Sequence, residues 1–118
     1  KTYFNTKEVW KYGECRGGTN PILKNGYYHS FFHSHINIEY KNKHSRKYFM
    51  GYYKFESKPP FKIVEMSNYP ILYGNEQEDF INNENYNQVI FPAGVIMEND
   101  KFLISFGIND ERSGIITL

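Results

Sequence analysis

Along most of this chain apolar side chains return at every second position, and that period commits it to sheet. Successive side chains of a strand point to opposite faces, so alternation yields one face to bury and one to leave in water. The apolar set is also β-branched and aromatic, which suits a pleated, half-buried surface. Pro21-Ile22-Leu23-Lys24, then Asn25-Gly26, then Tyr27 to Phe32 reads as a hairpin, because Asn-Gly supplies the two positive-φ residues of a type I′ turn. Val95 to Glu98, Asn99-Asp100 and Lys101 to Phe106 repeat that arrangement. Lys47 to Phe55 and Phe61 to Met66 read as two further strands, and Gly114 to Leu118 as a last one.

Two stretches break the alternation. His35 to Arg46 begins with Ile36 and Ile38 but ends in Lys41, Lys43, His44, Ser45 and Arg46, so its polar end reads as an exposed loop. Asn75 to Asn87 is rich in Asn and Glu and reads as a second loop, with a short helical turn near Glu78-Asp79-Phe80-Ile81. Between the middle strands, Pro59-Pro60 excludes helix and favours an extended connector. No ten-residue helix is expected. The expected fold is all-β and antiparallel, as a sandwich, barrel or propeller.

The two hairpins also form a faint internal repeat. Each runs from a proline through an apolar strand and a tight turn to an aromatic strand, and their starts, Asn20 and Phe91, are 71 residues apart. Propeller blades recur at about 40–45 residues in one class, so a wider spacing fits blades lengthened by loops.

Composition narrows the function. With 118 residues the chain is one domain or part of one. Leu, Ile, Val and Phe make up about a quarter of it, above the range of disordered chains. A net charge of +1 argues against a dedicated nucleic-acid binder. The longest apolar runs fall far short of a membrane span of roughly 20 residues. No basic, apolar and small-residue leader opens the sequence, so the expected location is cytoplasmic. Cys15, the one cysteine, closes no intrachain disulfide and builds no zinc site, and it reads as a small, partly buried residue. Tyr and Phe number eleven and ten against a single Ala93, and the chain opens on Lys1 within what reads as structured sequence. The expectation is therefore an excerpt of a larger domain.

Three groups could carry chemistry. A regular strand from Tyr28 to His35 places His29, Phe31, His33 and His35 on one face and Tyr28, Ser30, Phe32 and Ser34 on the other. Imidazoles in a row can hold a metal, an anion or a sugar; metal needs convergent ligands, whereas a strand-end histidine beside solvent needs no ligand at all. Arg16-Gly17-Gly18-Thr19 offers a guanidinium for a phosphate or carboxylate, and glycines that let backbone approach closely. It is equally a tight turn with a solvated arginine, and it lacks the lysine and helix of a phosphate loop. Gly107-Ile108-Asn109-Asp110-Glu111-Arg112 gathers amide, carboxylates and guanidinium at a strand end, a place where loops carry function. An internal surface ion pair would explain it as simply.

These pieces fall in a recognisable order: Arg16-Gly17-Gly18-Thr19-Asn20-Pro21-Ile22, Tyr28 to His33, Tyr48-Phe49-Met50-Gly51, Asn68-Tyr69-Pro70-Ile71-Leu72, Val89 to Gly94, and Ser105 to Asp110. The set resembles the C-terminal part of the five-bladed β-propellers of glycoside hydrolase family 130, the β-mannoside phosphorylases and their relatives, from about Glu14 onward. The resemblance implies that residues 1–118 form one region of about two to three antiparallel blades, with a ligand pocket at the propeller axis. It implies that His33 contacts the attacking phosphate and that Asp110 reaches sugar hydroxyls. Arg16 would then help hold the anion by charge-assisted hydrogen bonds. The general acid of such enzymes lies on an earlier blade, so no catalytic residue is assigned here.

Departures from the family pattern shift the emphasis. Gly18-Thr19-Asn20-Pro21 stands where the enzymes tend to have Gly-x-x-Pro-Pro, and Phe49 where they often carry arginine. Such forms are closer to propellers that accompany glycosyltransferase domains in larger polypeptides. The expected function is a carbohydrate-active protein of phosphorylase or hydrolase type that binds glycan and phosphate at the axis. The alternative is a non-catalytic carbohydrate-binding or scaffolding propeller within a glycan-modifying polypeptide. Expected partners are a glycan or sugar phosphate and the rest of the propeller or its host, with no nucleic acid, membrane or metal. No cofactor is expected beyond inorganic phosphate as co-substrate.

Overall fold

Asn25 and Gly26 adopt φ of 52° and 83°, the left-handed pair that a type I′ turn requires. They join β2 (Ile22–Lys24) to β3 (Tyr27–Tyr40). Asn99 and Asp100, at 49° and 64°, do the same between β7 (Ile90–Glu98) and β8 (Lys101–Ile108). Both expected hairpins are therefore present. The computed structural model describes residues 6–40, 42–73, 89–108 and 112–118. Its remaining elements are a four-residue helix α1 (Thr6–Val9), β1 (Arg16–Gly18), β4 (Lys43–Glu56), β5 (Ile63–Met66), β6 (Leu72–Tyr73) and β9 (Arg112–Thr117). The all-β, antiparallel expectation holds, and β9 covers the expected last strand. The loop and helical turn expected within Asn75–Asn87 lie outside the described residues.

Two expectations are corrected. Lys43 to Arg46, in the polar end expected as a loop, are strand: β3 and β4 are each 14 residues long and stay paired from Tyr27↔Glu56 to Tyr40↔Lys43. A projecting ribbon needs only its ladder of backbone hydrogen bonds, so the polar side chains near its tip do not end it; Glu39 and His44 pair across it at 3.6 Å. The Glu56–Pro60 connector is not extended either. Phe61 sits at φ 56° and its N–H donates to Lys58 C=O (2.9 Å), while Glu56 N–H donates to Lys62 C=O (2.9 Å), closing a turn that holds the cis Pro59–Pro60 bond.

The first sheet has the order β1-β3-β4-β5, with β2 also on the β3 side and β6 also on the β4 side. Since β1 and β2 share one edge of β3, and β5 and β6 share one edge of β4, the sheet is in effect a four-stranded meander. The second sheet is a three-stranded meander, β7-β8-β9. Phe31 and Met50, on one face of the first sheet, pack with Ile90, Val95 and Ile104 of the second. Trp10, Phe32, Phe49 and Met66 close the opposite face together with Tyr12 and Cys15. Burial of each such side chain contributes about 1.5–3 kcal/mol. At Gly51, a Cβ would meet Trp10 at 2.8 Å and the Phe32 ring closer still, so only glycine lets those rings cross the strand.

Candidate functional site

The face of β3 that carries His29, Phe31, His33 and His35 does run as one row, and each imidazole meets a different environment. His29 is buried: its Nε2–H donates to Lys24 C=O (3.2 Å), and Tyr52 O–H donates to its Nδ1 (2.6 Å). Phe102 of the second sheet lies 5.4 Å from the ring. Both nitrogens are occupied, so His29 holds structure together. Burial, and secondarily Glu65, pushes the Tyr52 phenol up to about 12, which keeps it a donor.

His33 lies where the second sheet ends its cover. Its Nδ1–H donates to Gly17 C=O (2.6 Å), and its ring is 4.5 Å from Phe91 of β7 and 6.5 Å from Tyr48. That bond fixes the neutral tautomer, so Nε2 carries a lone pair; on protonation it becomes a donor. Arg16 pairs in register with His33 across β1 and β3, so these two site residues expected from the sequence are brought together. Arg16 reaches Glu14 at 3.8 Å with both side chains well exposed, an ion pair worth little. Asp110, the third expected residue, lies outside the described residues.

The strand that bears Arg16 is fastened by its neighbour. Thr19 N–H donates to Phe31 C=O (2.9 Å), Phe31 N–H donates to Thr19 Oγ1 (3.0 Å), and Ser30 O–H donates to Thr19 C=O (2.9 Å). Gly18 follows a bulge, and a Cβ there would overlap the Phe31 carbonyl. The paired glycines thus let backbone approach backbone, and the resulting geometry turns the Gly17 carbonyl toward His33.

His35 continues the row into solvent, with Tyr48 directly opposite it and the two rings 5.3 Å apart. Its pKa is lowered, first by burial and then by the charges of Arg46, Arg16 and His33. Tyr48, Arg46 and Phe91 were not among the expected site residues. Their signal is register: counted back from Tyr27↔Glu56, Tyr48 falls opposite His35 and Arg46 opposite Asn37. Phe91 comes from another sheet and leaves no such trace. Among the described residues no three His, Cys, Asp or Glu side chains form a group able to hold a metal. The imidazoles are spread along one strand, His29 about 13 Å from His33 and His33 about 6.6–6.8 Å from His35.

Comparison with the known gives no shortcut. No family model, curated protein or solved structure matches this chain. What the site can do is therefore read from its own groups: a guanidinium and two imidazoles beside two aromatic rings, a set that holds an anion or a hydroxylated ring. Two other concavities are apolar. One of about 390 Å³ lies on the second sheet between Ile96, Leu103 and Ile115; one of about 250 Å³ lies between Tyr52, Ile71 and Leu118. Neither is lined by Arg16 or His33. Cys15 is half-buried and its thiol is pushed up by burial and by Glu14, which suits a packing residue and not a nucleophile. Among the described residues no helix is long and apolar enough to cross a membrane.

Proposed function

We propose that this chain is a glycan-binding part of a β-propeller in a carbohydrate-active protein of glycoside phosphorylase or hydrolase type. The ligand is held at the open end of the histidine face. The observation that carries this reading is His33: its Nδ1 is anchored on Gly17 C=O, its ring lies against Phe91, and Arg16 is its cross-strand neighbour. A fixed imidazole with its Nε2 available, a guanidinium and exposed aromatic surface together suit a sugar and a bound anion. The propeller assignment is supported by a four-stranded antiparallel meander followed by a second meander stacked on its face. The motif order from Arg16 to Asp110 supports the same assignment, with Asp110 reaching sugar hydroxyls.

In a phosphorylase, the anion at His33 and Arg16 would approach the anomeric carbon in line while a carboxylic acid protonates the leaving oxygen. Glu14 is the one carboxylate among the described residues that pairs with Arg16, and it is exposed. That observation favours a second reading, a non-catalytic carbohydrate-binding propeller in a glycan-modifying polypeptide. Calorimetric titration with β-mannobiose and mannose 1-phosphate tests both, with phosphate release from mannose 1-phosphate plus acceptor sugar followed in parallel. Binding weakened about tenfold by His33→Ala, with phosphate released, supports the enzyme. The same binding without turnover supports the binding module. Unchanged affinity in both His33→Ala and Asp110→Ala, or no sugar binding at all, rejects the site.

A further inference from the structure

We propose that the open end of the histidine face is a subsite for an acidic sugar, a pyranose bearing a carboxylate or a phosphate ester, whose charge is met by Arg16, His35 and Arg46 and whose ring lies against Tyr48 and Phe91. This rests on the glycan reading above and names the class of sugar.

Arg16 is opposite His33, Tyr48 opposite His35 and Arg46 opposite Asn37. Alternation along each strand puts these side chains on one face, so three neighbouring strands deliver two guanidiniums and two imidazoles to one rim. Two described carboxylates lie near. Glu14 pairs with Arg16 at 3.8 Å and Glu39 pairs with His44 at 3.6 Å, one step further out, and all four side chains are more than half exposed. Such solvent-screened pairs contribute little and yield readily to a better-placed ligand anion. An arginine favours carboxylate or phosphate because its fork matches two oxygens at once.

A bare anion would use only the charges, and the aromatic rings argue for more. Phe91 is 44% exposed although its ring lies 4.5 Å from that of His33, tilted by 50°. Tyr48 is half-buried against His35 on the adjoining strand. An apolar ring surface beside a cluster of cations suits a ligand with one charged substituent and one C–H face, which describes an acidic pyranose.

The same neighbours make recognition proton-linked. Partial burial disfavours the charged form of His35, and Arg46 on β4, Arg16 on β1 and His33 on β3 add to it. An anion placed among them reverses that balance, so binding takes up a proton at His35 and tightens as pH falls below the ordinary histidine value.

The test is NMR titration of the His35 ring resonances, with calorimetry, at about pH 5.5 and about pH 7.5. The ligands are glucuronate, a hexose 6-phosphate, mannose and inorganic phosphate. We expect the acidic sugars to bind about tenfold more tightly than mannose at the lower pH, with a smaller advantage at the higher. Arg46→Gln and His35→Gln should each remove most of that preference, and His35→Gln should flatten its pH dependence, with unfolding midpoints unchanged at about pH 7.5. A preference for glucuronate marks carboxylate as the natural charge and one for hexose phosphate marks the ester; either supports the proposal. Equal affinity for mannose and the acidic sugars overturns it while leaving the glycan reading intact. Inorganic phosphate binding as tightly as hexose phosphate overturns the ring contact, and no binding by any sugar overturns both readings.

Discussion

The two faces of β3 are closed in different ways. On one, Ser30 bonds Thr19, while Phe32 and Ser34 meet the N-terminal segment, where Trp10 Nε1–H donates to Ser34 Oγ (2.8 Å) and Ser34 O–H donates to Tyr12 C=O (2.6 Å). Among the described residues no buried side-chain polar atom is left without a partner. On the other, Phe31 is sealed by the second sheet, but cover ends at His33 and the row runs on to His35 in solvent. Hydroxyls serve the sealed face because they donate and accept without taking charge. Imidazoles serve the open one because their charge follows pH and ligand. The lesson is that polar residues alternating along one strand can be structural on one side and available for binding on the other.

The sharpest way to break that contrast is Trp10→Ala, which empties the sealed face and strips Ser34 of its donor. It should cost about 3–5 kcal/mol, read as a lower denaturant midpoint, whereas His33→Ala should cost less than about 1.5 kcal/mol. Equal losses would mean that both faces are structural. Gly51→Ala comes next, at about 1–3 kcal/mol, because its new methyl forces the Phe32 and Trp10 rings apart. A neutral or stabilising result in urea denaturation would show that those rings can move aside. Tyr52→Phe should cost about 1 kcal/mol through the lost donor to His29 Nδ1.

Within the histidine face, its buried end and its open end depend on pH with opposite sign. Tyr52 is neutral in the fold and its phenol is raised to about 12, above the ordinary value of 10. Its contribution is therefore complete below pH 10 and lost as pH rises from 10 to about 12, so ultraviolet titration should show a late tyrosine component that Tyr52→Phe diminishes, while the raised Tyr53 stays. His35 is lowered, so stability is full above its ordinary value of 6.5 and declines as pH falls below it. This effect is the smallest, since the ring is largely solvated, and His35→Gln should erase it from a plot of unfolding midpoint against pH.

Much of this fold is legible in particular residues. Asn25-Gly26 and Asn99-Asp100 announce their turns because few other pairs tolerate positive φ twice, and alternation from Tyr28 to His35 assigns the faces of β3. The extension of that hairpin to Tyr40 is hidden because Lys43 to Arg46 pair in the ladder without an apolar signal in the sequence. The Pro59-Pro60 turn is hidden because it depends on Phe61 adopting φ 56°, which that residue type rarely does. In the candidate site, Arg16 and His33 are visible as residue types. Which of the three histidines stays open depends on where β7 ends its cover, and that is a tertiary fact carried by Phe91.

The meander connectivity has a consequence for the order of assembly. Within each sheet, strands pair across short intervening segments, so either sheet can form early and with little loop-closure cost. Contact between the sheets spans far more chain: Val95 N–H donates to Asn20 Oδ1 at 3.4 Å, and Phe91 reaches His33 from the opposite layer. The rim around His33 therefore belongs to neither sheet alone and comes into being only when they dock. The His33–Phe91 contact is a natural clock for that last step, and in refolding experiments it should appear after the hairpin signals.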